Sequence, residues 1–230
     1  MNSKLNPIKS ALISVFNKEG LEPIIKSLNK EGVKLFSTGG TQKFIEDLGI
    51  PSTPIESVTK FPSILDGRVK TLHPKVFGGI LWRRSLQADA ETVSSMEIPS
   101  LDMVIVDLYP FEETVNSGAE ESEIIEKIDI GGISLIRAGA KNFNDVWIVS
   151  SMKEYPELLN ILDNQGAQIS LKQRKKFASR AFEVSKNYDS LISDWFQEKE
   201  KPLSEINGKR KELRYGENPH QKAWFIGDLD

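Results

Sequence analysis

Short continuous apolar runs alternate along this chain with segments whose apolar positions recur every three or four residues. Residues 8–16 (Ile-Lys-Ser-Ala-Leu-Ile-Ser-Val-Phe) predict a buried first strand. Leu21, Ile24, Ile25 and Leu28 then share one helical face, predicting a helix over 21–30 with Pro23 in its first turn and Gly32 closing it. A short second strand is predicted over 33–37, and Thr38-Gly39-Gly40-Thr41 opens a helix that runs through Leu48. Residues 51–55 form a third strand, placed at a sheet edge by their prolines. A long loop (56–65) and a polar insert (85–100), expected to be a surface helix with a loop, precede the clearest buried strand, 101–108. A helix over 122–128 breaks at Asp129-Ile130-Gly131-Gly132, another covers 133–140 and ends at Lys141-Asn142, and residues 146–149 make a fifth strand. The alternation then stops. Helices are predicted over 155–162 and 171–196, the second amphipathic through Phe177, Ala181, Val184 and Tyr188. The fold class is therefore α/β: a mainly parallel sheet of about five strands, helices on both faces, and a helical C-terminal extension. Residues 199–210 are charged and linker-like, dividing the chain into 1–198 and 199–230.

Composition narrows the function classes. The 230 residues are 39% hydrophobic and 27% charged, an ordinary globular mixture with enough length for a core. A net charge of −3 argues against a general nucleic-acid binder. The absence of cysteine excludes disulfides, thiolate metal sites and cysteine nucleophiles, and two histidines, His73 and His220, argue against a zinc site. No apolar run reaches the roughly 18 residues of a membrane helix, and no signal peptide opens the chain, so a cytoplasmic protein is expected.

The stretch Asp66-Gly67-Arg68-Val69-Lys70-Thr71-Leu72-His73-Pro74 gathers Arg68, Lys70 and His73 between a glycine turn and a proline. As an apolar-out, basic-in strand it would need an anion to meet its charges: Arg offers a planar fork, Lys a point charge and Thr71 a hydroxyl. The same stretch also fits a solvated basic loop. Ser37-Thr38-Gly39-Gly40-Thr41, at a strand-to-helix turn, has the makings of a phosphate cradle or of a plain helix cap. Tyr109-Pro110-Phe111 falls just beyond the carboxyl end of a strand, where open α/β sheets place ligands.

Together with Ser14-Val15-Phe16-Asn17-Lys18, Leu108-Tyr109-Pro110-Phe111, Asp129-Ile130-Gly131-Gly132 and Arg137-Ala138-Gly139-Ala140-Lys141-Asn142, these motifs resemble inosine-monophosphate (IMP) cyclohydrolase. That enzyme is the amino-terminal half of a bifunctional purine-biosynthesis family, whose other half is an aminoimidazole-carboxamide-ribonucleotide transformylase. The resemblance covers nearly the whole chain and implies a methylglyoxal-synthase-like fold. It implies dehydrative closure of a 5-formamidoimidazole-4-carboxamide ribonucleotide to IMP, the last step of de novo purine synthesis, without metal or organic cofactor. It implies Lys141 as acid–base group with Asp129 its carboxylate neighbour, and Lys70 and Tyr109 to hold and polarise the reacting groups. Asn17, Lys18, Thr38, Gly39, Gly40, Thr41, Arg68, Thr71 and Asp107 would bind substrate. Taken singly, Lys141 could also offset a helix dipole and Asp129 could be an N-cap. Asp107 stands where the family usually has Asn, and Gly139 where it usually has Ala.

Residues from Leu213 onward resemble the start of the transformylase. Arg214 and Tyr215 match nucleotide contacts there, and 10-formyltetrahydrofolate would be its co-substrate. The segment has no room for a folate pocket, so formyl transfer is not expected of this chain. A homodimer is expected, with a purine-precursor ribonucleotide as ligand and neither nucleic acid nor membrane as partner. A regulatory nucleotide-binding domain of the same fold is the competing reading, and a methylglyoxal synthase a weaker third.

Overall fold

Five of the apolar runs pair in parallel to form a single sheet. The computed structural model describes residues 5–197, together with the backbone of Arg210–Glu212 and Trp224–Ile226. The chain opens with β1 (Leu5–Pro7), β2 (Ser10–Ser14), α1 (Leu21–Lys30), β3 (Lys34–Ser37), α2 (Gly39–Asp47) and β4 (Thr53–Pro54). Three helices, α3 (Ile55–Thr59), α4 (Pro74–Leu81) and α5 (Gln87–Ser95), lead to β5 (Met103–Val106). Three more, α6 (Phe111–Asn116), α7 (Glu121–Ile125) and α8 (Gly131–Lys141), lead to β6 (Trp147–Val149). Then come α9 (Tyr155–Gln165), β7 (Gln168–Ser170) and α10 (Leu171–Phe196).

The sheet order is β4-β3-β2-β5-β6, all parallel, with β4 at the edge where its prolines suit it. Every residue of β5 and β6, and all of β2 except Ser14, is buried. Continuous burial along a parallel strand requires cover on both faces, which explains why these segments read as unbroken apolar runs. Helix α8 packs on β5 and β6 and against α4, while α1 packs against α9. The buried residues of α10, including Phe177, Ala178, Ala181, Ser185 and Tyr188, form one helical stripe.

Several elements depart from the sequence expectation. The Asp66–Pro74 stretch is not a strand: a 3₁₀ turn at Leu65–Gly67 and a single bridge between Ile64 and Val69 leave it as a loop. The His73 ring nitrogen Nδ1 accepts from the Lys75 N–H at 3.1 Å, capping α4, so the histidine starts a helix. Helix α8 begins at Gly131, two residues earlier than expected, because the Asp129 carboxylate accepts the Gly132 N–H at 2.6 Å and turns the glycines into its first turn. The unpredicted β1 and β7 are three-residue strands paired antiparallel, Leu5 opposite Ser170, too short to show a period.

By compactness the chain divides into Met1–Asp189, which holds the sheet, and Ser190–Asp230. The second unit includes the end of α10 and an antiparallel pair, β8 (Arg210–Glu212) and β9 (Trp224–Ile226), with Arg210 opposite Ile226. Arg214, Tyr215 and the linker positions 199–209 lie outside the described residues. Among the described residues no helix is long and apolar enough to cross a membrane.

Candidate active site

The register fixes where ligands can be met. Ser14 lies beside Val106, Ile13 beside Ser37, and Ile105 beside Val149, so the strands finish along one line. Strand order reverses between β2 and β5, and the loops leaving these two strands diverge there, the usual ligand crevice of an open α/β sheet. A cleft of about 630 Å³ lies at that place. Its walls carry Ser14 at the end of β2, Phe16 and Lys18 after it, Thr38, Gly40 and Thr41 at the start of α2, Arg68, Lys70 and Thr71 from the basic loop, Asp107 and Tyr109 after β5, and residues 125–132.

Two ammonium groups bear on the first turn of α2. A methyl placed on Gly39 would lie 3.6 Å from Lys70 Nζ, and one on Gly40 would lie 3.9 Å from Lys18 Nζ. Gly39 has a positive φ of 47°, a left-handed conformation that glycine adopts without penalty. Lys18 Nζ donates to the carbonyls of Val15 (2.8 Å) and Phe16 (2.7 Å), which hold it over the turn. Burial pulls its pKa below the ordinary lysine value, Asp107 opposes this, and Lys70 adds to it. A helix start with two lysines above it is suited to a phosphate dianion.

The opposite wall is acidic and aromatic. Burial raises the Asp129 carboxyl above the ordinary aspartate value, against the N–H groups of Gly132 and Tyr109; Asp107 adds to the rise and Lys70 opposes it. Burial also raises the Tyr109 phenol, with Asp129 contributing. The Tyr109 and Phe16 rings meet edge to face at 5.5 Å, and Lys127 Nζ stands 5.6 Å and 5.9 Å from the Phe16 and Tyr109 ring centres. The cleft thus has a cationic end, a planar aromatic margin and, near both, a half-buried carboxyl whose pKa burial raises.

Of the residues expected to act, Lys70, Tyr109 and Asp129 line this cleft together with Lys18, Thr38, Gly40, Thr41, Arg68, Thr71 and Asp107. Several are engaged within the protein. The Thr41 hydroxyl donates to Val15 O (2.9 Å) and accepts the Val15 N–H (3.1 Å), tying α2 to β2. Asp107 accepts the N–H groups of Phe16 and of Asn17, the latter at 3.0 Å, so its carboxylate closes the β2–β5 crevice from below. An aspartate, with acceptors on both oxygens, suits two N–H donors as an asparagine would not. The Asn17 side chain accepts the Glu19 N–H at 2.9 Å and does not line the cleft. Arg68 forms an ion pair with Glu126 on the rim, through both Nε and Nη2.

Lys141 is not brought to this cleft. Helix α8 presents its first turn, Gly131 and Gly132, to the cleft, whereas Lys141 is its exposed last residue. Ten residues of helical rise separate the two ends by about 15 Å. The neighbouring Asn142 is buried and donates to Ile80 O (2.7 Å) and Trp82 O (3.1 Å), closing the end of α4. Sequence reasoning passed over Phe16, Glu126 and Lys127 as separate site residues, and over Tyr188, whose hydroxyl accepts the Asp129 N–H at 2.9 Å. The opposite charges of Arg68 and Glu126 were a signal, but 58 positions separate them.

Residues 20–134 match the family model of the MGS-like domain, and residues 139–230 that of the AICARFT/IMPCHase bienzyme. The bifunctional purine biosynthesis protein PurH of Bacteroides thetaiotaomicron is 57% identical over 229 residues, covering 99% of this chain and 45% of that protein. The protein of the same name from Rhodospirillum rubrum is 45% identical over 226 residues, covering 96% of this chain and 43% of its own length. The chain therefore spans about half the length of the curated relatives it matches. A solved structure described as "Crystal structure of ForH" superposes with a TM-score of 0.70 at 30% identity, over 81% of this chain and 96% of that one.

Proposed function

From the premise that this chain belongs to the MGS-like domain family, we propose that its cleft catalyses the dehydrative closure of a formamidoimidazole-carboxamide ribonucleotide to IMP. The observation that carries the proposal is the convergence on one crevice of Lys18, Lys70, Tyr109 and the half-buried carboxyl of Asp129. The bienzyme match and the purine-biosynthesis relatives support it.

The substrate phosphate would sit on the first turn of α2 beneath Lys18 and Lys70, with Arg68 at the rim and the Thr38 and Thr71 hydroxyls close by. The planar heterocycle would lie along Phe16 and Tyr109. Both reacting groups are on one ring, so the protein must align them rather than bring them together. The carboxamide nitrogen attacks the formyl carbon; a C–N bond forms and the formyl oxygen takes the electron pair. The Tyr109 hydroxyl stabilises that oxygen. Asp129 takes the carboxamide-nitrogen proton and passes it to the oxyanion, then takes the formamido N–H proton and delivers it to the resulting hydroxyl, so that water leaves and the C=N bond forms. A carboxyl whose proton affinity burial has raised can serve both halves of this cycle. Within one chain the acid–base duty expected of Lys141 therefore falls to Asp129.

We further propose that residues 1–198 constitute the cyclohydrolase domain, that residues 199–230 begin a transformylase using 10-formyltetrahydrofolate in the full-length protein, and that the enzyme is a cytoplasmic homodimer. Leu171 and Phe182, exposed on α10, support association. A regulatory domain would use the same cradle but has no need of a half-buried carboxyl on the facing wall. The test is to incubate the purified chain with the formamido ribonucleotide and follow IMP absorbance; binding without any absorbance change would favour the regulatory reading.

A further inference from the structure

Residues 126–130 connect α7 to α8 and form one wall of the cleft. Their early part is tied to α7 by the N–H groups of Lys127 and Ile128, which donate to Ile124 O and Ile125 O, each at 3.0 Å. Their end is tied to α8 by the Asp129 cap on Gly132. Between these ties the chain is held by a side chain from another helix. The Tyr188 hydroxyl on α10 donates to Lys127 O at 2.5 Å and accepts the Asp129 N–H at 2.9 Å.

Tyr188 is 6% exposed, and its ring meets Phe111 edge to face at 6.2 Å. Phe111 follows Tyr109 by two residues, and its N–H donates to Tyr109 O at 2.8 Å. One side chain thus contacts both segments that build the acidic and aromatic wall: its ring bears on Phe111 and its hydroxyl on the backbone of Lys127 and Asp129. The hydroxyl also holds the Lys127 carbonyl, on the residue whose ammonium stands over Phe16 and Tyr109.

We propose that Tyr188 is a positioning residue for the reaction, its hydroxyl clamping the loop that presents Asp129 and Lys127 to the substrate. This rests on the cyclohydrolase reading. The phosphate cradle lies on the opposite wall, built from α2, Lys18 and Lys70, and takes no support from Tyr188. Loss of the clamp should therefore slow the chemical step and leave substrate capture intact. A shift of the order of 1 Å at a reacting group is enough to cost about 10²-fold in rate.

The test is Tyr188→Phe, which keeps the ring on Phe111 and removes only the hydroxyl, with Tyr188→Leu as the variant that loses both contacts. In Tyr188→Phe, kcat is expected to fall about tenfold or more, with KM within about twofold of wild type. In the same protein without substrate, hydrogen exchange at the Asp129 and Gly132 amides should rise about tenfold or more, while amides of β2 and β5 keep their protection. Tyr188→Leu should lose more in kcat and also loosen residues 109–111. Unchanged kcat, unchanged exchange at Asp129, or a loss shared equally by KM and by the β2 and β5 amides would each overturn the proposal. If wild-type protein bound the ribonucleotide without closing it, the reaction assignment would fail, and the exchange result would still decide whether Tyr188 holds the loop.

Discussion

Gly132→Ala separates the stability of α8 from the placement of Asp129. Gly132 is a helical residue without a positive φ, so alanine there should gain about 1 kcal/mol from helix propensity alone. The added methyl, however, would lie 2.9 Å from Asp129 Cγ and 3.0 Å from Oδ1, with Oδ2 closer still, whereas ordinary contact begins at 3.4 Å. The carboxylate must move by roughly 0.5–1 Å and lose its bond to the Gly132 N–H; losing a hydrogen bond to a charged group costs about 1–3 kcal/mol. The net cost to stability is about 1 kcal/mol, seen as a fall of about 2–4 °C in Tm for a chain of this size. The rate of IMP formation should fall far more, by about 10²-fold, because the proposed mechanism assigns the proton transfers to the displaced group. The assay pairs thermal denaturation with absorbance-monitored cyclisation. A variant melting near wild type and keeping more than about a third of its kcat would show that the position of Asp129 does not govern the reaction.

Thr41→Val should lower stability by about 1–3 kcal/mol, because it leaves the buried Val15 N–H without its acceptor, the carbonyl keeping only Lys18 Nζ, and denaturant titration checks this. A selective rise in KM at unchanged stability would instead make Thr41 a substrate contact. Arg68→Ala should raise KM with kcat nearly constant, as expected for a phosphate contact present in ground and transition states alike; steady-state kinetics at fixed pH distinguishes this from a fall in kcat. Glu154 is buried, accepts the Ser150 N–H (2.8 Å) and hydroxyl (3.1 Å), and is raised above its ordinary value by burial. A raised carboxyl contributes stability that is complete below the unfolded-state value of 4.5 and is lost as pH rises through the folded-state value. Wild-type Tm should therefore decline more than that of Glu154→Gln as pH rises from about 4.5 to neutrality, and parallel curves would contradict this.

The sheet was legible because its strands are covered on both faces and so read as continuous apolar runs, bounded by glycine and proline. Helix α10 was legible to its ends, since one stripe from Phe177 to Tyr188 is buried along it. The interval between Pro54 and Met103 was less so: α4 starts at a His-Pro pair and contains two adjacent glycines, weak helix formers that suit close packing against Ile98, Pro99 and Leu101. In the site, the motifs pointed to the first turn of α2 and to Asp129, which line one cleft. Which hydroxyls and carboxylates were free to meet a ligand was not legible, because Thr41 and Asp107 are occupied by partners 26 and about 90 positions away. Lys141 stood in a motif that runs along a helix. Only the direction of α8 shows that the two ends of the 129–142 segment face different places.

The central claim is that ring closure takes place in this cleft and uses the Asp129 carboxyl. Single-turnover conversion of the formamido ribonucleotide by the wild-type chain and by Asp129→Asn, with IMP quantified by chromatography and substrate affinity measured alongside, tests it directly. Wild-type protein should form IMP, while Asp129→Asn should bind the substrate with comparable affinity and form it at least about 10²-fold more slowly. Conversion by Asp129→Asn at the wild-type rate would contradict the account.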